Sequence, residues 1–537
     1  MIKKLICILG LIIIFPELIF NNTSIELSLR RTQEPIQSVP QIQLFTPNGD
    51  SQFDYGFKQA GEVEINSLFG EVDSSIFEQP GMEVLRVALA ASIAAKFGSG
   101  QAAPVSDAKP VVSNIKAKMD LAAVRAAQNQ LVELCKTTGY VVVLEGEEGP
   151  GRDSSAGAIP GTLFTSQGMI LPKYYQVEEF CSSEGKRYVP DTIADVLKVL
   201  EWEHIGIGRD EVKGVIFIKF DTIENTTSTA LGEIGGWSFA SMRMFSFPES
   251  GATSPDILNI PAHYTPDGYI GGWTFNAPQP VSIAPYELPE SAVPKLAAAY
   301  GETVDEYLSK TRFVILQRAR HQRIIDDLKA MGATYVTMKD GDMPPRVFSL
   351  MQEEVLGERI VVLGTSGACE ASAAVNTGMA LRDRDAQFSL LQTTTESGLL
   401  HDDVTGWHEG GAEFSDEEIG EFQALNIPIG HYTQGISVSQ VVTSTHESRF
   451  LFLIPVTGAR EELIGNMASE LPGIEIIEQG NGAKVNIHAL VVYSEGRREN
   501  GGAFILTIPL QIQNLQRTRA LMLHLGRQFI ILEETPR

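Results

Sequence analysis

The residues best suited to chemistry stand in Asp221-Thr-Ile-Glu-Asn-Thr-Thr-Ser-Thr-Ala230, directly after the apolar run Val215-Ile-Phe-Ile-Lys-Phe220. Asp221 and Glu224 supply two carboxylates that can face one point, and carboxylates suit a hard divalent cation. The hydroxyls of Thr226, Thr227 and Ser228 fall where a helix would begin, a place suited to phosphate. The β-branched and aromatic run before them reads as a buried strand with the acids at its far end. Taken alone, the same letters also describe a strand, an Asp-led turn and a threonine cap.

Four further apolar runs end in polar groups of the same kind. Tyr140-Val-Val-Val-Leu144 ends in Glu145-Gly-Glu-Glu148, and Phe313-Val-Ile-Leu316 leads to Arg318 and Arg320. Thr334-Tyr-Val-Thr-Met338 leads to Asp340-Gly-Asp342, and Arg359-Ile-Val-Val-Leu363 to Gly364-Thr-Ser-Gly-Ala-Cys-Glu370. Oxygen ligands without a Cys/His cluster point to Mg²⁺ or Mn²⁺. Arginines beside such carboxylates point to an anionic substrate, most simply a phosphate held bidentately. Two metal ions can clamp the attacking and leaving oxygens of a phosphoryl displacement, so the combination spells metal-assisted phosphate monoester hydrolysis. Lys116 and Asp120 stand four residues apart on one face of a predicted helix, a spacing that by default means a surface ion pair.

These groups need a scaffold of strands and helices to hold them. Helical periodicity covers Glu83 to Lys96 and Lys116 to Lys136, with Asp107 to Ser113 read as a loop. A strand follows at Trp237 to Phe247, and Pro266-Asp-Gly-Tyr269 reads as a turn. Pro278 to Pro294, with five prolines, is the best linker candidate. Beyond it strands and helices alternate, which is βαβ grammar and implies a parallel sheet. Ligands of such sheets gather at the C-terminal ends of the strands. The expected fold class is therefore α/β, with a mixed α+β N-terminal half and a βαβ C-terminal half. Arg449 to Ile454 and Val485 to Val492 are later strands, and the acidic stretch Ser415 to Glu421 reads as a solvated helix.

The chain has 537 residues, enough for two or three domains with real cores. Its 67 acids against 42 bases give a net charge of −25, which excludes nucleic acid as a natural partner. The four cysteines share no paired spacing and read as free thiols. Lys3-Lys4 followed by the apolar run Leu5 to Phe20 resembles a signal or anchor segment within residues 1–24, and any membrane contact would come through it. Residues 25–81 read as a poorly ordered polar extension. The expected domains are 82–285, with an insertion at about 149–214, and 286–537.

In this order the motifs resemble class II fructose-1,6-bisphosphatase, a branch of the lithium-sensitive, metal-dependent phosphatases. Lys116 and Asp120 are similar to the family's Lys-x-x-x-Asp, and Leu144-Glu-Gly-Glu147 to its Gly-Glu-Gly-Glu. Asp221-Thr-Ile-Glu-Asn-Thr226 resembles Asp-Pro-Ile-Glu/Asp-Gly-Thr, and Pro266-Asp-Gly-Tyr269 a Pro-Asp-x-Tyr turn. Arg318-Ala-Arg-His321 resembles Lys-Pro-Arg-His, Asp340-Gly-Asp342 matches outright, and Gly364 to Glu370 resembles Gly-x-Gly-Gly-Ala-Pro-Glu. The resemblance runs discontinuously from about Met82 to the C-terminus. It departs at Thr222 and Asn225, where the family has Pro and Gly, at Gly149-Pro150, where it has acids, and at Cys369.

The resemblance implies a layered αβαβα sandwich and two sites for Mn²⁺ or Mg²⁺. One metal would sit on Asp120 and Glu145, the other on Asp221, Glu224 and Glu370. Thr226 would position or activate the attacking water. Substrate contacts would come from Lys116, Glu224, Asn225, Thr226, Tyr269, Arg318, Arg320, Asp340, Gly341, Asp342 and Gly367. The reaction implied is fructose 1,6-bisphosphate to fructose 6-phosphate and phosphate, a gluconeogenic step, by a homo-oligomer. A cytoplasmic setting follows from the family, and export or anchoring follows if the leader is real. The altered turn keeps two alternatives open: a paralogue that binds a phosphorylated ligand without turnover, or a phosphatase for another phosphorylated sugar or polyol.

Overall fold

Two short strands, β1 (Phe57–Gln59) and β2 (Glu64–Phe69), precede two long helices, α1 (Val84–Gly98) and α2 (Lys109–Thr138). Strands β3 (Tyr140–Glu147), β4 (Phe164–Thr165) and β5 (Gly168–Pro172) and helix α3 (Ile193–Leu200) come next. The central pair β6 (Gly214–Glu224) and β7 (Trp237–Ser246) is joined through helix α4 (Thr226–Leu231). Then follow β8 (Ile270–Asn276), α5 (Pro289–Tyr300), α6 (Val304–Ser309), β9 (Thr311–Leu316) and α7 (Gln322–Ala330). After β10 (Thr334–Met338), α8 (Met343–Ser349) and β11 (Arg359–Ser366) come the short strands β12 (Ala386–Phe388), β13 (Leu391–Gln392) and β14 (Ile436–Ser437). The chain closes with β15 (Glu447–Pro455), β16 (Glu475–Gln479), β17 (Gly482–Glu495), β18 (Asn500–Ile512) and α9 (Leu515–Arg527).

This computed structural model describes residues 57–69, 72, 74–100, 109–147, 164–165, 168–172, 192–200, 212–248, 255–259, 270–283, 287–318, 321–351, 353–366, 373–374, 376–378, 380, 386–388, 391–392, 436–437, 446–496 and 500–527. All fall within the unit Val39–Arg537. The predicted acidic helix at Ser415 to Glu421 and the segment 1–24 lie outside them, as does most of the insertion at about 149–214. Among the described residues no helix is long and apolar enough to cross a membrane.

Eleven strands form one sheet, ordered β1-β18-β17-β15-β7-β6-β3-β5-β4, with β16 on β17 and β2 on β18. Seven form the other, ordered β10-β9-β11-β8-β12-β14, with β13 on β8. As the βαβ alternation predicts, β10 and β11 both run parallel to β9. The sheet is nevertheless mixed, because β8 pairs with β11 antiparallel.

Strand alternation sets the layering. Phe450, Phe452 and Ile454 of β15 pack with α1 and α2, while Leu451 and Leu453 turn to the opposite side. There they meet Val314 and Leu316 of β9, Val362 of β11, and Val347 and Phe348 of α8. The remaining positions of β9, Phe313 and Ile315, pack on α5, α6 and α7. The result is helices, sheet, a thin helical layer, a second sheet and outer helices. This is an α/β protein, and its layers run αβαβα.

Three local expectations change. Residues 57–69, read as part of a loose extension, contribute β1 and β2, and Phe57 and Val63 are buried with the core. β2 is a half-exposed strand on β18, so its sequence lacks the strict apolar alternation of a covered strand. The loop expected at Asp107 to Ser113 is helical from Lys109, because Pro110 falls in the first turn, where its missing N–H costs nothing. The predicted linker Pro278 to Pro294 becomes helix from Pro289 for the same reason, with Pro294 carried inside it. The larger sheet takes β3, β6 and β7 from before residue 285 and β15, β17 and β18 from after it.

At the N-terminal end of β11, Arg359 ties the second sheet to its outer helices. Its guanidinium binds Glu302 with two N–H groups and Glu353 with a third, and lies 3.9 Å over the Tyr300 ring. Arg359, with help from Lys310, holds the Glu302 carboxyl down to about 2, against an ordinary 4.5. A depressed carboxylate contributes stability that is present above its unfolded value and lost as pH falls through its folded one. In Arg359→Met the loss of melting temperature relative to wild type should therefore be largest above pH 4.5 and shrink as pH falls towards about 2. A difference independent of pH would show that the tie is only packing.

Candidate active site

The end of β6 is where local sequence and tertiary pairing act together. All eleven residues of β6 are buried, including Asp221 and Glu224. Three residues apart, the two acids would face opposite sides of a regular strand. A bulge changes that: Asp221 lies opposite Phe239 and Glu224 opposite Trp237, with the register shifting between them. Phe239 and Trp237 both face the layer between the sheets. Both carboxylates are thereby set on that same side.

The chain then turns through Asn225, whose φ of 62° and ψ of 54° are left-handed. It is the one non-glycine with positive φ among the described residues. Asparagine is among the residues that best tolerate this conformation. Its Nδ2 donates to the Gly235 carbonyl at 3.3 Å. Asn225→Gly should melt within about 1 kcal/mol of wild type, whereas Asn225→Ala should lose about 1–2 kcal/mol. Equal stability of the two variants would remove backbone strain as the reason for asparagine.

Thr226 opens α4 and is 4 % exposed. Its Oγ1 donates to the Ile223 carbonyl at 3.0 Å, and Asn225 makes no side-chain cap. The hydroxyl therefore does not cap an N–H group; with its proton committed to a carbonyl, its oxygen can accept one.

Across this turn sits the loop that follows β10. Gly341, at φ 86°, approaches Asn225 so closely that a Cβ built on it would stand 3.0 Å from the Asn225 Cβ. The Met343 N–H, at the start of α8, points to Glu224 Oε1 at 3.5 Å. Arg318, just after β9, lies 3.8 Å from Asp340. The Asp340 carboxyl is pushed above its ordinary value first by the surrounding protein, though half its side-chain surface is open. Arg318 and Lys116 pull it down and Asp342 pushes it up, so Lys116 of α2 acts on this corner as well. Lys116, Glu224, Asn225, Arg318, Asp340, Gly341 and Asp342 are thus gathered from four separate motifs.

Asp120 is buried one turn beyond Lys116, on a helix that packs against β6 and α4. The backbone of Glu145 is the unpaired residue of a bulge at the end of β3. The Glu145 side chain, Tyr269, Arg320, Gly367 and Glu370 lie outside the described residues. Among the described residues no three His, Cys, Asp or Glu side chains form a group able to hold a metal. What is described of the expected ligand set fits a hard divalent cation in donor chemistry. Asp120, Asp221 and Glu224 are buried carboxylates, with Asp221 Oδ1 already accepting from the Ile223 N–H at 2.9 Å.

Sequence reasoning missed Arg346. Buried on α8, it donates to Asp342 Oδ2 (2.9 Å), Thr274 Oγ1 (2.9 Å) and the Gly364 carbonyl (3.1 Å). It fixes the Asp340–Asp342 loop to β8 and β11. The signal was an arginine four residues after Asp342, with Met343-Pro-Pro345 between them. It also missed the charged row on the inner face of the larger sheet. There Arg243 and Arg449, on paired positions of β7 and β15, both approach Glu447.

No family model matches the chain. It is 25 % identical over 229 residues to fructose-1,6-bisphosphatase 1 class 2 of Escherichia coli (strain K12), covering 42 % of this chain and 58 % of that protein. The fructose-1,6-bisphosphatase class 2 proteins of Escherichia coli O6:H1 and Shigella flexneri match to the same extent. The matched region spans 58 % of the length of these curated relatives. The similarity is that of a distant relationship.

Proposed function

We propose that the chain is a metal-dependent sugar bisphosphatase, acting on fructose 1,6-bisphosphate to give fructose 6-phosphate and phosphate. One observation carries this reading: the acid-bearing turn after β6 meets the Asp340-Gly-Asp342 loop, with Arg318 and Lys116 beside it. Asp120, Asp221 and Glu224, together with Glu145 and Glu370, would hold Mn²⁺ or Mg²⁺. A divalent cation bound there supplies charge neutralisation at the phosphate and acidifies water.

The chain's own residues supply position. Thr226 Oγ1, its proton directed to Ile223, accepts a hydrogen bond from the attacking water and aims its oxygen at phosphorus. The water oxygen forms the new P–O bond while the sugar oxygen departs and gains, in net, the proton that the water loses. Lys116 and Arg318 attract the anionic substrate, and Asp340, Gly341 and Asp342 offer acceptors and a close backbone approach for sugar hydroxyls and phosphate. Tyr269, Arg320 and Gly367 would complete the substrate contacts. The αL geometry of Asn225 supports turnover, because the turn keeps a conformation open to glycine.

Phosphate release from fructose 1,6-bisphosphate, followed with malachite green in Mn²⁺ or Mg²⁺, tests the proposal. Release should require the cation and stop on chelation. Release only from a different phosphorylated sugar or polyol would correct the substrate. Tight binding without release would leave a phosphate-ester binding protein.

A further inference from the structure

A second cleft lies away from the Asn225 corner, between the C-terminal end of α1, the stretch leading into β16, and α9. Its volume is about 490 Å³, within the usual range for small-molecule sites. Lys96, Phe97, Ser99, Glu475, Ile476 and Arg519 are among the residues that line it. The Arg519 guanidinium lies 5.8 Å from the Phe97 ring centre, and one of its nitrogens is 2.8 Å from Glu478. Burial holds the Lys96 ammonium below its ordinary value, a cost that a seated anion would offset. Two cations, a hydroxyl and an aromatic face are thus presented together on a chain of net charge −25. Phe97 and Ile476 supply the apolar contact that a flat body would need.

One wall of this cleft is wired to helix α4 and the other to the turn that follows it. On one side Ser99 caps α1 through the Lys96 carbonyl, and the next residue, Gly100, donates its N–H to the Thr229 carbonyl at 3.2 Å. On the other, Ile474 N–H bonds the Val456 carbonyl, and Thr457 Oγ1 accepts from Gly236 N–H at 2.8 Å. Gly235 N–H bonds the Gly458 carbonyl at 3.0 Å. The end of α4 and the turn leading on to β7 are therefore each tied to a different wall.

We propose that this cleft is a second ligand site, for a phosphate monoester with a planar apolar body, and that occupancy is transmitted to α4. The phosphate meets Lys96, Arg519 and Ser99 Oγ, and the planar body lies along Phe97 and Ile476. Holding the two walls at a fixed separation restrains the stretch from Thr229 to Gly236, which follows Thr226 along the chain.

Phenylphosphonate, whose C–P bond resists hydrolysis, is the probe, read by hydrogen exchange on the full chain and by calorimetry. Exchange should slow in peptides spanning residues 93–100 and 471–479, and also in 229–236. Lys96→Met/Arg519→Met should abolish all three effects and weaken binding by at least about tenfold, the worth of one charge-assisted hydrogen bond. Unchanged melting would show that this variant is folded, and Arg519→Lys, which keeps the charge, should lose less. Slowing confined to peptides around Asn225 and Asp340 would place the probe only in the candidate active site and overturn the proposal. No change anywhere at millimolar probe would overturn it as well. Slowing at the cleft without slowing in 229–236 would overturn the transmission to α4. None of these readouts depends on turnover, so they stand apart from the bisphosphatase reading.

Discussion

Thr226→Ala is expected to lower turnover by about 10²–10⁴ while leaving the fold and cation binding in place, the scale of losing a positioned acid–base group. The hydroxyl is buried at the first residue of α4 and spends its proton on the Ile223 carbonyl. Alanine removes that one hydrogen bond, worth about 1 kcal/mol of stability. It also removes the oxygen that orients water. Thr226→Ser keeps the oxygen and should retain far more activity than alanine does. The paired measurement is kcat and melting temperature on the same preparations, with Mn²⁺ affinity as a control. Near wild-type kcat in Thr226→Ala would end the mechanistic assignment, whatever its melting temperature.

Arg346→Met is expected to cost about 3–5 kcal/mol of stability, the range for stripping one partner from a buried ion pair. Asp342 and Arg346 expose 4 % and 6 % of their side chains, and the guanidinium also satisfies Thr274 and the Gly364 carbonyl. Methionine matches much of the volume but leaves the Asp342 carboxylate in protein without its cation. Arg346→Met/Asp342→Asn should recover part of the loss, because the second change removes the stranded charge. Denaturant titration of both variants and wild type checks this. Equal stability of the single and double variants would show that the guanidinium works through Thr274 and Gly364 instead. Arg346 is a positioning residue, so Arg346→Met, which leaves every proposed substrate contact in place, should also show a raised KM.

The strands bearing the candidate site were legible because each is a short run of β-branched and aromatic residues stopping at a charge. The parallel trio β9, β10 and β11 followed from their separation by helical stretches. The bulge between Asp221 and Glu224 was not legible, since it is set by how β6 pairs with β7. Nor was Arg346, whose partners on β8 and β11 are far from it in sequence. β1 and β2 escaped notice for a different reason. Half-exposed strands carry mixed residues, and only pairing with β18 gives them order. At Asn225 the hint lay in the glycine that the resembling family carries there, since asparagine tolerates a left-handed backbone.

The place of β15 in the larger sheet has a consequence for how the molecule is made. Its partner β7 ends at Ser246, yet β15 begins only at Glu447. At about 5–20 residues per second, a ribosome needs on the order of 10–40 s to bridge that gap. During that interval β7 lacks the strand that covers this edge in the folded sheet, so its ladder of backbone groups on that side is unpaired. If β6 and β7 pair before β15 emerges, that edge is open to pairing with other chains until Glu447 is made.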